Sequence, residues 1–276
     1  MDYKNTDTEK RLFPFSYSMI DYWFPLIHGT FGEDGQLQHQ LEKTELPYIG
    51  TDKISSSICY DKILSREKAH KCGIRQPQYL IFHSDKLRSH KIVQETIIHE
   101  IGLPCFIKPA KTGSSLGISR VDEKMNILPA LKLATIYDQN VIVEKAVSHC
   151  VEYEIAFIGN QNKKLSVPGT VDYKEQFYTT HAKYYEETTK LSSLKNDDCH
   201  FQKRIHEQTR KIIELFNVKD LGRVDFLYDK INDILYWNEI NTIPGFTKKS
   251  MFPFLWREEG FDLVDVIDYI LEQVSY

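Results

Sequence analysis

Residues 234–237 read ILYW, and the chain continues as NEINTIPGFT at 238–247. Glu239 and Asn241 stand two apart behind a hydrophobic run, so a strand here directs both side chains to one face. Carboxylate and amide oxygens are hard ligands of the kind that Mg²⁺ uses when substrate phosphates also hold it. The stretch therefore predicts a strand that carries two metal-ligating side chains.

A second strand pattern lies just upstream, GRVDFLYD at residues 222–229. It adds Asp225 as a third oxygen ligand and Arg223 as a cation. The turn-like residues 229–233 join the two patterns, which predicts a hairpin with its polar side chains gathered on one side. Two acids, an amide and an arginine on one hairpin indicate metal-assisted phosphoryl chemistry.

Composition limits the class of protein. The chain has 276 residues and a mass of 32.4 kDa, which allows two or three modest domains. A net charge of −4 and a pI of about 6.2 argue against nucleic acid or an anionic membrane as the main partner. No apolar stretch approaches the roughly 20 residues that span a bilayer, and the polar N-terminus is no signal peptide. Five scattered cysteines without a CxxC pattern favour reduced thiols, so a cytoplasmic protein is predicted.

The periodicity of apolar residues predicts a mixed α/β chain with antiparallel character in its middle and C-terminal parts. A strand should run into the glycine-rich loop HGTFGEDG at residues 28–35, with a helix after it, and a polar loop should cover 172–199. Strands are predicted at 22–27, 78–82, 104–109, 118–121, 140–144, 152–159 and 164–170, and helices at 55–72, 87–100, 125–136, 200–216 and 262–274.

Two further segments suggest nucleotide binding. Lys108 ends a strand and precedes a glycine- and serine-rich loop at 111–117, whose amides and hydroxyls can wrap phosphate oxygens. The spacing is not that of a Walker A loop and no GxGxxG occurs, so neither a P-loop nor a Rossmann site is supported. An ordinary surface turn is the alternative. Likewise VIVEK at 141–145 is either a strand running into solvent or a hinge whose backbone binds adenine.

Together these pieces resemble the D-alanine–D-alanine ligases of the ATP-grasp superfamily. The matching segments occur in the order of that family, across almost the whole chain from about residue 20. They are HGTFGEDG (28–35), YDKILSREK (60–68), FIKPAKTGSSLGISRV (106–121), VIVEK (141–145), FYTTHAKYY (177–185), GRVDFLYD (222–229) and NEINTIPGFTKKSMFPFLW (238–256). Each segment is modest evidence alone, whereas the ordered set is specific.

The resemblance implies an ATP-grasp fold of the α/β (α+β) class. The nucleotide would lie between a small central α+β domain (53–145) and a C-terminal domain (146–276), preceded by a shortened N-terminal α/β domain (1–52). The implied activity is ligation of two D-alanines through an acyl phosphate, for peptidoglycan synthesis by a protein that is commonly a homodimer. Because acyl phosphates hydrolyse in water, the polar segment 172–199 would act as a closing lid.

Residue roles follow from the same resemblance. The ATP-binding set is Lys62 and Lys108 on the phosphates, Ser115 in the glycine-rich loop, Glu144, Lys145 and Val147 around the adenine, and Glu152 on the ribose. The metal set is Asp225, Glu239 and Asn241, which would hold two Mg²⁺ ions, with Mn²⁺ as a substitute. Ser114, Lys183 and Tyr184 would order and close the site, and Arg223 and Gly245 would stabilise the oxyanion. His28 would lie near the first D-alanine, and Ser250 with the backbone of Met251 would bind the carboxylate of the second.

The sequence departs from the family pattern at its N-terminus. The family carries a strand, a glycine-rich turn and a helix there, with a glutamate that orients the first D-alanine, and nothing in residues 1–18 has that pattern. We therefore expect a shortened domain with a weaker first-substrate site. In the lid, Thr180 and His181 replace a usual aromatic and acid, while Tyr184 favours D-alanine over D-lactate as acceptor. A ligase for other small acids and a nucleotide-binding remnant without turnover remain the alternatives.

Overall fold

The computed structural model describes residues 20–172, 190–195 and 199–273. Its helices are α1 (Gln36–Glu42), α2 (Lys53–Tyr60), α3 (Lys62–Lys71), α4 (His90–Glu100), α5 (Ile127–Tyr137), α6 (Cys199–Phe216), α7 (Met251–Glu258) and α8 (Leu263–Gln273), with 3₁₀ helices at Ser84–Arg88 and Lys124–Asn126. Its strands are β1 (Tyr79–His83), β2 (Cys105–Pro109), β3 (Ser119–Val121), β4 (Asn140–Lys145), β5 (Cys150–Ile158), β6 (Lys164–Leu165), β7 (Gly169–Asp172), β8 (Lys190–Ser193), β9 (Leu221–Asp229) and β10 (Ile234–Asn241).

The strands form two separate sheets. The smaller has the order β1-β4-β2-β3, and the larger has the order β10-β9-β5-β7-β8 with β6 paired to β5. Every strand pair in both sheets is antiparallel. The predicted antiparallel character is therefore confirmed. The predicted domain boundaries at residues 52 and 145 remain a prediction.

The larger sheet is buried on both faces. Along β5, Tyr153, Ile155 and Phe157 join the apolar cluster beneath α6. Ala156 and Ile158 join the cluster beneath α7 and α8 on the opposite face. This alternation follows from the two-residue period of a strand, and it explains why β5 is hydrophobic almost throughout.

The longest described helix, α6, shows why its sequence is helical. Its buried residues recur every three or four positions, as expected for a helix with one face on a sheet; they are Phe201, Ile205, Thr209, Ile212, Ile213 and Phe216. The predicted helices at 200–216 and 262–274 are thus confirmed within one residue at each end. Within the described ranges, no helix is both long and apolar enough to cross a membrane.

The smaller sheet packs against α4 and α5. Val141 and Val143 of β4 are fully buried with Ile97 of α4 and Leu131 of α5. Ile142, between the two valines, is also fully buried on the other side of the strand. The sheet therefore presents one face to its own helices and the other toward the interior of the molecule.

The helical prediction over 55–72 is confirmed, although two helices, α2 and α3, form in place of a continuous one. Asp61 leaves the helical region with φ −83° and ψ 105°. Its carboxylate accepts hydrogen bonds from the amides of Ile63 and Leu64 at 2.9 and 3.1 Å, so it is the N-cap of α3. This cap starts a new helix at Lys62. Lys62 therefore points in a different direction from the one it would have if α2 continued.

The predicted strand over 22–27 is also wrong. In the described chain this segment makes only an isolated parallel bridge, between Trp23 and Tyr48. Pro25 has no backbone N–H, so a strand ladder cannot continue through it.

The predicted strand over 164–170 is divided into β6 and β7. The hydroxyl of Ser166 accepts from the amide of Ala156 at 3.0 Å in place of a ladder bond, and Pro168 has no amide hydrogen to donate. The predicted loop over 172–199 is wrong in one part, because β8 lies within it and pairs with β7.

Gly222 provides a test of the packing between β5 and β9. A Cβ on this residue would lie 2.5 Å from the ring of Phe157 and 3.0 Å from the carbonyl oxygen of Asn241. Gly222→Ala should therefore lower the free energy of unfolding by about 1–3 kcal/mol, measured by urea denaturation. Gly113→Ala is the control, since its Cβ would meet nothing closer than 3.6 Å. Equal losses in the two variants would contradict this packing.

Candidate active site

The hairpin of β9 and β10 forms as predicted and sets the centre of the site. Glu239 lies directly opposite Asp225, and Asn241 lies directly opposite Arg223. Residues that face each other across two strands point to the same side of the sheet, as do residues two apart on one strand. All four side chains therefore share one face. The side-chain amide nitrogen of Asn241 donates to the carboxylate of Asp225 at 3.0 Å.

A β-bulge at Asn238 makes this arrangement possible. Trp237 pairs with Phe226, but the next pair is Glu239 with Asp225, so Asn238 is an extra residue. In a regular strand Trp237 and Glu239 would point to the same side. Because of the bulge, Trp237 turns into the core, where it is 1% exposed, and Glu239 turns to the polar face.

Arg223 is held by two carboxylates. Its guanidinium donates to both oxygens of Asp225 at 2.8 and 2.7 Å and forms an ion pair with Glu154 on β5 at 2.9 Å. Burial alone would lower the pKa of Arg223, but the charges of Asp225 and Glu154 raise that pKa well above its ordinary value. The cation is therefore permanent and its direction is fixed. Glu154, which no sequence pattern singled out, stands two residues from Glu152 on the same strand.

The predicted metal ligands fit a hard divalent cation. Asp225, Glu239 and Asn241 offer carboxylate and amide oxygens from adjacent positions on one face, the donor type that Mg²⁺ prefers. Among the described residues, no group of three His, Cys, Asp or Glu side chains forms a self-sufficient metal site.

The glycine-rich loop between β2 and β3 is tightly folded. Ser114, Ser115 and Gly117 have φ of 52°, 58° and 70°, so three residues adopt left-handed conformations within four positions. Lys62, at the start of α3, donates to the carbonyl of Thr112 at 2.6 Å and so fixes the loop to that helix. Burial lowers the pKa of the Lys62 ammonium, even though Glu239 and Glu144 oppose this.

A buried ion network lies behind the loop. Glu144, at 2% exposure, forms ion pairs with Lys108 of β2 and with Arg66 of α3, the latter at 2.5 Å. Burial alone would raise the pKa of Glu144, but the two cations lower it from an ordinary 4.5 to about 2. The carboxylate of Glu144 is therefore occupied by its two cationic partners. Only the backbone of Glu144 remains available to bind an adenine.

Arg66 links this network to the hairpin. No sequence pattern singled out this residue. Its guanidinium donates to the carbonyl of Trp237 at 3.2 Å and to the side-chain oxygen of Asn238 at 3.4 Å. Both acceptors belong to the bulge on β10. The available signal was its spacing, because Arg66 stands four residues after Lys62 and so shares its helix face.

The loop of residues 28–35 reaches the same site. The Nδ1 atom of His28 lies 2.9 Å from the carbonyl oxygen of Ile243, just beyond β10. Glu33, which no sequence pattern singled out, accepts from the amide of Gly29 at 2.6 Å. Burial raises the pKa of Glu33, while hydrogen bonding to the backbone and the nearby His28 oppose the rise.

The segment after β10 brings three predicted residues together. A Cβ on Gly245 would lie 2.7 Å from the hydroxyl oxygen of Ser250, so glycine is required for this close approach. Ser250 is the N-cap residue of α7, and its hydroxyl lies 2.8 Å from that of Thr247. Met251 buries its side chain in the core, so its backbone amide at the helix start is the group that can bind a carboxylate.

Three further predicted residues lie on or next to β4 and β5. Lys145 ends β4 with an exposed side chain, Val147 follows that strand, and Glu152 lies on β5 opposite Leu227 of β9. Lys183 and Tyr184, with the rest of the predicted lid at 177–185, lie outside the described residues. Their roles stay predictions.

Comparison with known proteins agrees with this geometry. The family model for the C-terminal part of D-Ala–D-Ala ligases matches residues 69–272, and the model for the N-terminal part matches residues 2–51. The chain belongs to the D-alanine–D-alanine ligase family.

Named members of the family match most of this chain. It is 37% identical over 255 residues to D-alanine–D-alanine ligase B of Clostridium tetani, covering 92% of this chain and 70% of that protein. It is 34% identical over 256 residues to a D-alanine–D-alanine ligase of Thermoanaerobacter sp., covering 91% and 70%.

Solved structures of such ligases also superimpose on the chain. The VanG D-Ala:D-Ser ligase from Enterococcus faecalis has a TM-score of 0.81 at 30% identity, covering 92% of this chain and 73% of that one. The D-alanine–D-alanine ligase from Coxiella burnetii has a TM-score of 0.77 at 29% identity, covering 92% and 68%. These likenesses confirm the ATP-grasp fold expected from the sequence.

The ion network predicts a specific pH dependence of stability for this family member. Because the pKa of Glu144 is depressed on folding, its ion pairs stabilise the fold above pH 4.5, and this stabilisation is lost as the pH falls toward about 2. The difference in free energy of unfolding between the wild type and Glu144→Gln should therefore shrink across that window. Urea denaturation above and within the window measures it.

Arg66→Met is the companion variant for this test. It removes the charge of Arg66 from beside Glu144 but leaves the carboxylate in place, so the pKa of Glu144 rises. The stabilisation by the remaining ion pair is then lost at a higher pH. A difference between wild type and Glu144→Gln that does not change with pH would contradict the network's contribution.

Proposed function

We propose that the protein joins two D-alanines into D-alanyl-D-alanine with ATP, releasing ADP and phosphate. The observation that carries this is the fixed cation of Arg223 beside Asp225, Glu239 and Asn241, on one face of the β9–β10 hairpin. Arg66 connects this hairpin to the network of Lys108 and Glu144 behind the glycine-rich loop. A transferring phosphoryl group needs charge and positioning more than a nucleophilic side chain, and these residues supply both.

In the first half-reaction, a carboxylate oxygen of the first D-alanine attacks the γ-phosphorus of ATP. The bond from that phosphorus to the bridging oxygen breaks and ADP leaves, which forms D-alanyl phosphate. Lys62 and Lys108 bind the phosphates, with Ser115 and the loop amides around them, and Glu144, Lys145, Val147 and Glu152 hold the adenosine. Asp225, Glu239 and Asn241 would hold Mg²⁺, or Mn²⁺ in its place, which would neutralise phosphate charge when bound.

In the second half-reaction, the amine of the second D-alanine attacks the carbonyl carbon of D-alanyl phosphate. The carbonyl oxygen becomes an oxyanion, which the guanidinium of Arg223 and the backbone amide of Gly245 stabilise. Phosphate then leaves with the electron pair of the broken bond, and the amine loses a proton. Ser250 and the amide of Met251 bind the carboxylate of this second substrate, while Ser114, Lys183 and Tyr184 close the site against water.

D-serine is a second candidate for the acceptor. The observation that favours it is the similarity to the VanG D-Ala:D-Ser ligase, whose TM-score of 0.81 is as high as that of a relative named for alanine. Both substrates have the carboxylate that Ser250 would bind and differ only by one hydroxyl group. The assay of the proposed function therefore includes both amino acids.

The wider setting of the reaction belongs to the same proposal. The dipeptide would serve peptidoglycan synthesis, and a reaction that uses ATP and free D-alanine is suited to the cytoplasm. A homodimer is the assembly that we propose, in keeping with the family.

Glu239→Gln tests the proposed function. The change keeps the size of the side chain but removes one of two carboxylates that face the transferring phosphate, so turnover should fall by at least about 100-fold. The measurement is phosphate release from Mg-ATP with and without D-alanine or D-serine, with the dipeptide identified by mass spectrometry. Arg223→Ala should have an effect at least as large.

Glu207→Gln is the matched control, because it makes the same chemical change at an exposed position on α6. It should leave turnover unchanged. Retained activity in Glu239→Gln would show that the metal and substrate assignments are wrong.

A further inference from the structure

The loop of residues 28–33 contacts the segment beyond β10 through His28. The Nδ1 atom of His28 lies 2.9 Å from the carbonyl oxygen of Ile243. Ile243 is 5% exposed, so this carbonyl cannot rely on bulk water as a partner. His28 therefore does for this carbonyl what a neighbouring strand does within a sheet.

Glu33 holds the loop closed next to His28. Glu33 accepts from the amide of Gly29 at 2.6 Å, and its own amide donates to the carbonyl of Gly29 at 2.9 Å. This double connection closes a tight turn directly after His28. Glu33 thus fixes the backbone that carries the His28 ring.

The hydrogen bond also determines the tautomer of His28. A carbonyl oxygen can only accept, so the Nδ1 atom facing Ile243 must carry the hydrogen. Nε2 is then the ring nitrogen that can contact a substrate. Such a tautomer assignment by a partner of the other ring nitrogen is a common way for proteins to prepare a histidine for binding.

The position of this contact connects it to the reaction. Ile243 lies two residues after Asn241 and two before Gly245, and Glu33 is close enough to Glu239 for their charges to interact. The contact therefore fixes the start of the segment that carries the proposed oxyanion amide. A shift of about 1 Å in such a segment can reduce turnover by about 100-fold.

We propose that Glu33 is a positioning residue for the first substrate. It acts through His28, whose contact with Ile243 joins the N-terminal part of the chain to the segment with Gly245. This inference rests on the proposed function, since its role is defined by the binding of D-alanine.

The test compares Glu33→Ala with Asp34→Ala. Asp34 accepts from the amides of Phe31 and Gln36 at 2.9 and 3.0 Å, so its loss removes bonds from the same loop but none to Gly29, the neighbour of His28. Glu33→Ala should lower kcat/KM for D-alanine by about 10- to 100-fold, with KM for ATP within about threefold of wild type. Both variants should lower the melting temperature to a similar extent. Asp34→Ala, however, should keep kcat/KM for D-alanine near the wild-type value.

A double variant tests whether Glu33 acts through His28. If it does, adding Glu33→Ala to His28→Ala should cost much less than Glu33→Ala costs alone. Equal and additive losses, or equal effects of Glu33→Ala on D-alanine and ATP, would overturn the proposal and leave Glu33 as a residue of loop stability. The same conclusion would follow if Asp34→Ala lost as much kcat/KM for D-alanine.

A spectroscopic readout separates this inference from the proposed function. Nitrogen-15 NMR of the imidazole rings at alkaline pH, with the His28 signal assigned by its loss in His28→Gln, reports the tautomer without any substrate. The wild type should show the hydrogen on Nδ1, and Glu33→Ala should shift the population toward Nε2. No turnover with D-alanine in the wild type would refute the proposed function, whereas an unchanged tautomer in Glu33→Ala would refute the positioning role.

Discussion

The guanidinium of Arg66 lies between the two sheets of this protein, where its residue is 2% exposed. On one side it pairs with Glu144 of β4, and on the other it donates to the carbonyl of Trp237 at the bulge of β10. A cation buried to this degree is tolerated only when its donors are satisfied, so the two sheets must meet where both partners are available. The relation between the nucleotide side and the hairpin side of the site depends on this one side chain.

The second organising constraint is the pairing of buried charges along the hairpin. Arg223 satisfies Asp225 and Glu154 at once, so a cation that could stabilise an oxyanion is held in place by groups that themselves need neutralisation. Stability and chemistry therefore use the same residues. The carboxylates are close enough to the cation to fix its direction, and Asn241 extends the network through its bond to Asp225.

Much of the fold and of the site could be predicted, and the reasons are local. Glu239 and Asn241 follow a hydrophobic run, Arg223 and Asp225 precede another at residues 226–228, and a short turn between two such runs pairs them antiparallel. The helices with a clear apolar face, such as α6, were also predicted. The differences came where tertiary contacts outweighed the pattern: Asp61 interrupts a continuous helical pattern by capping α3, and the apolar run at 22–27 finds only a single bridge, at Trp23.

The order of amino acids alone sets which carboxylates, cations and glycines are present. It also sets on which strands they lie. Tertiary structure alone decided how they meet. The bulge at Asn238 changes the alternation of β10 so that Trp237 is buried while Glu239 faces the site, and no two-residue period predicts it. The roles of Arg66 and Glu154, and the contact of His28 with Ile243, likewise depend on partners far away in the chain. Local patterns cannot show such contacts, because the requirement to pair a buried charge or amide is met only when distant segments are brought together.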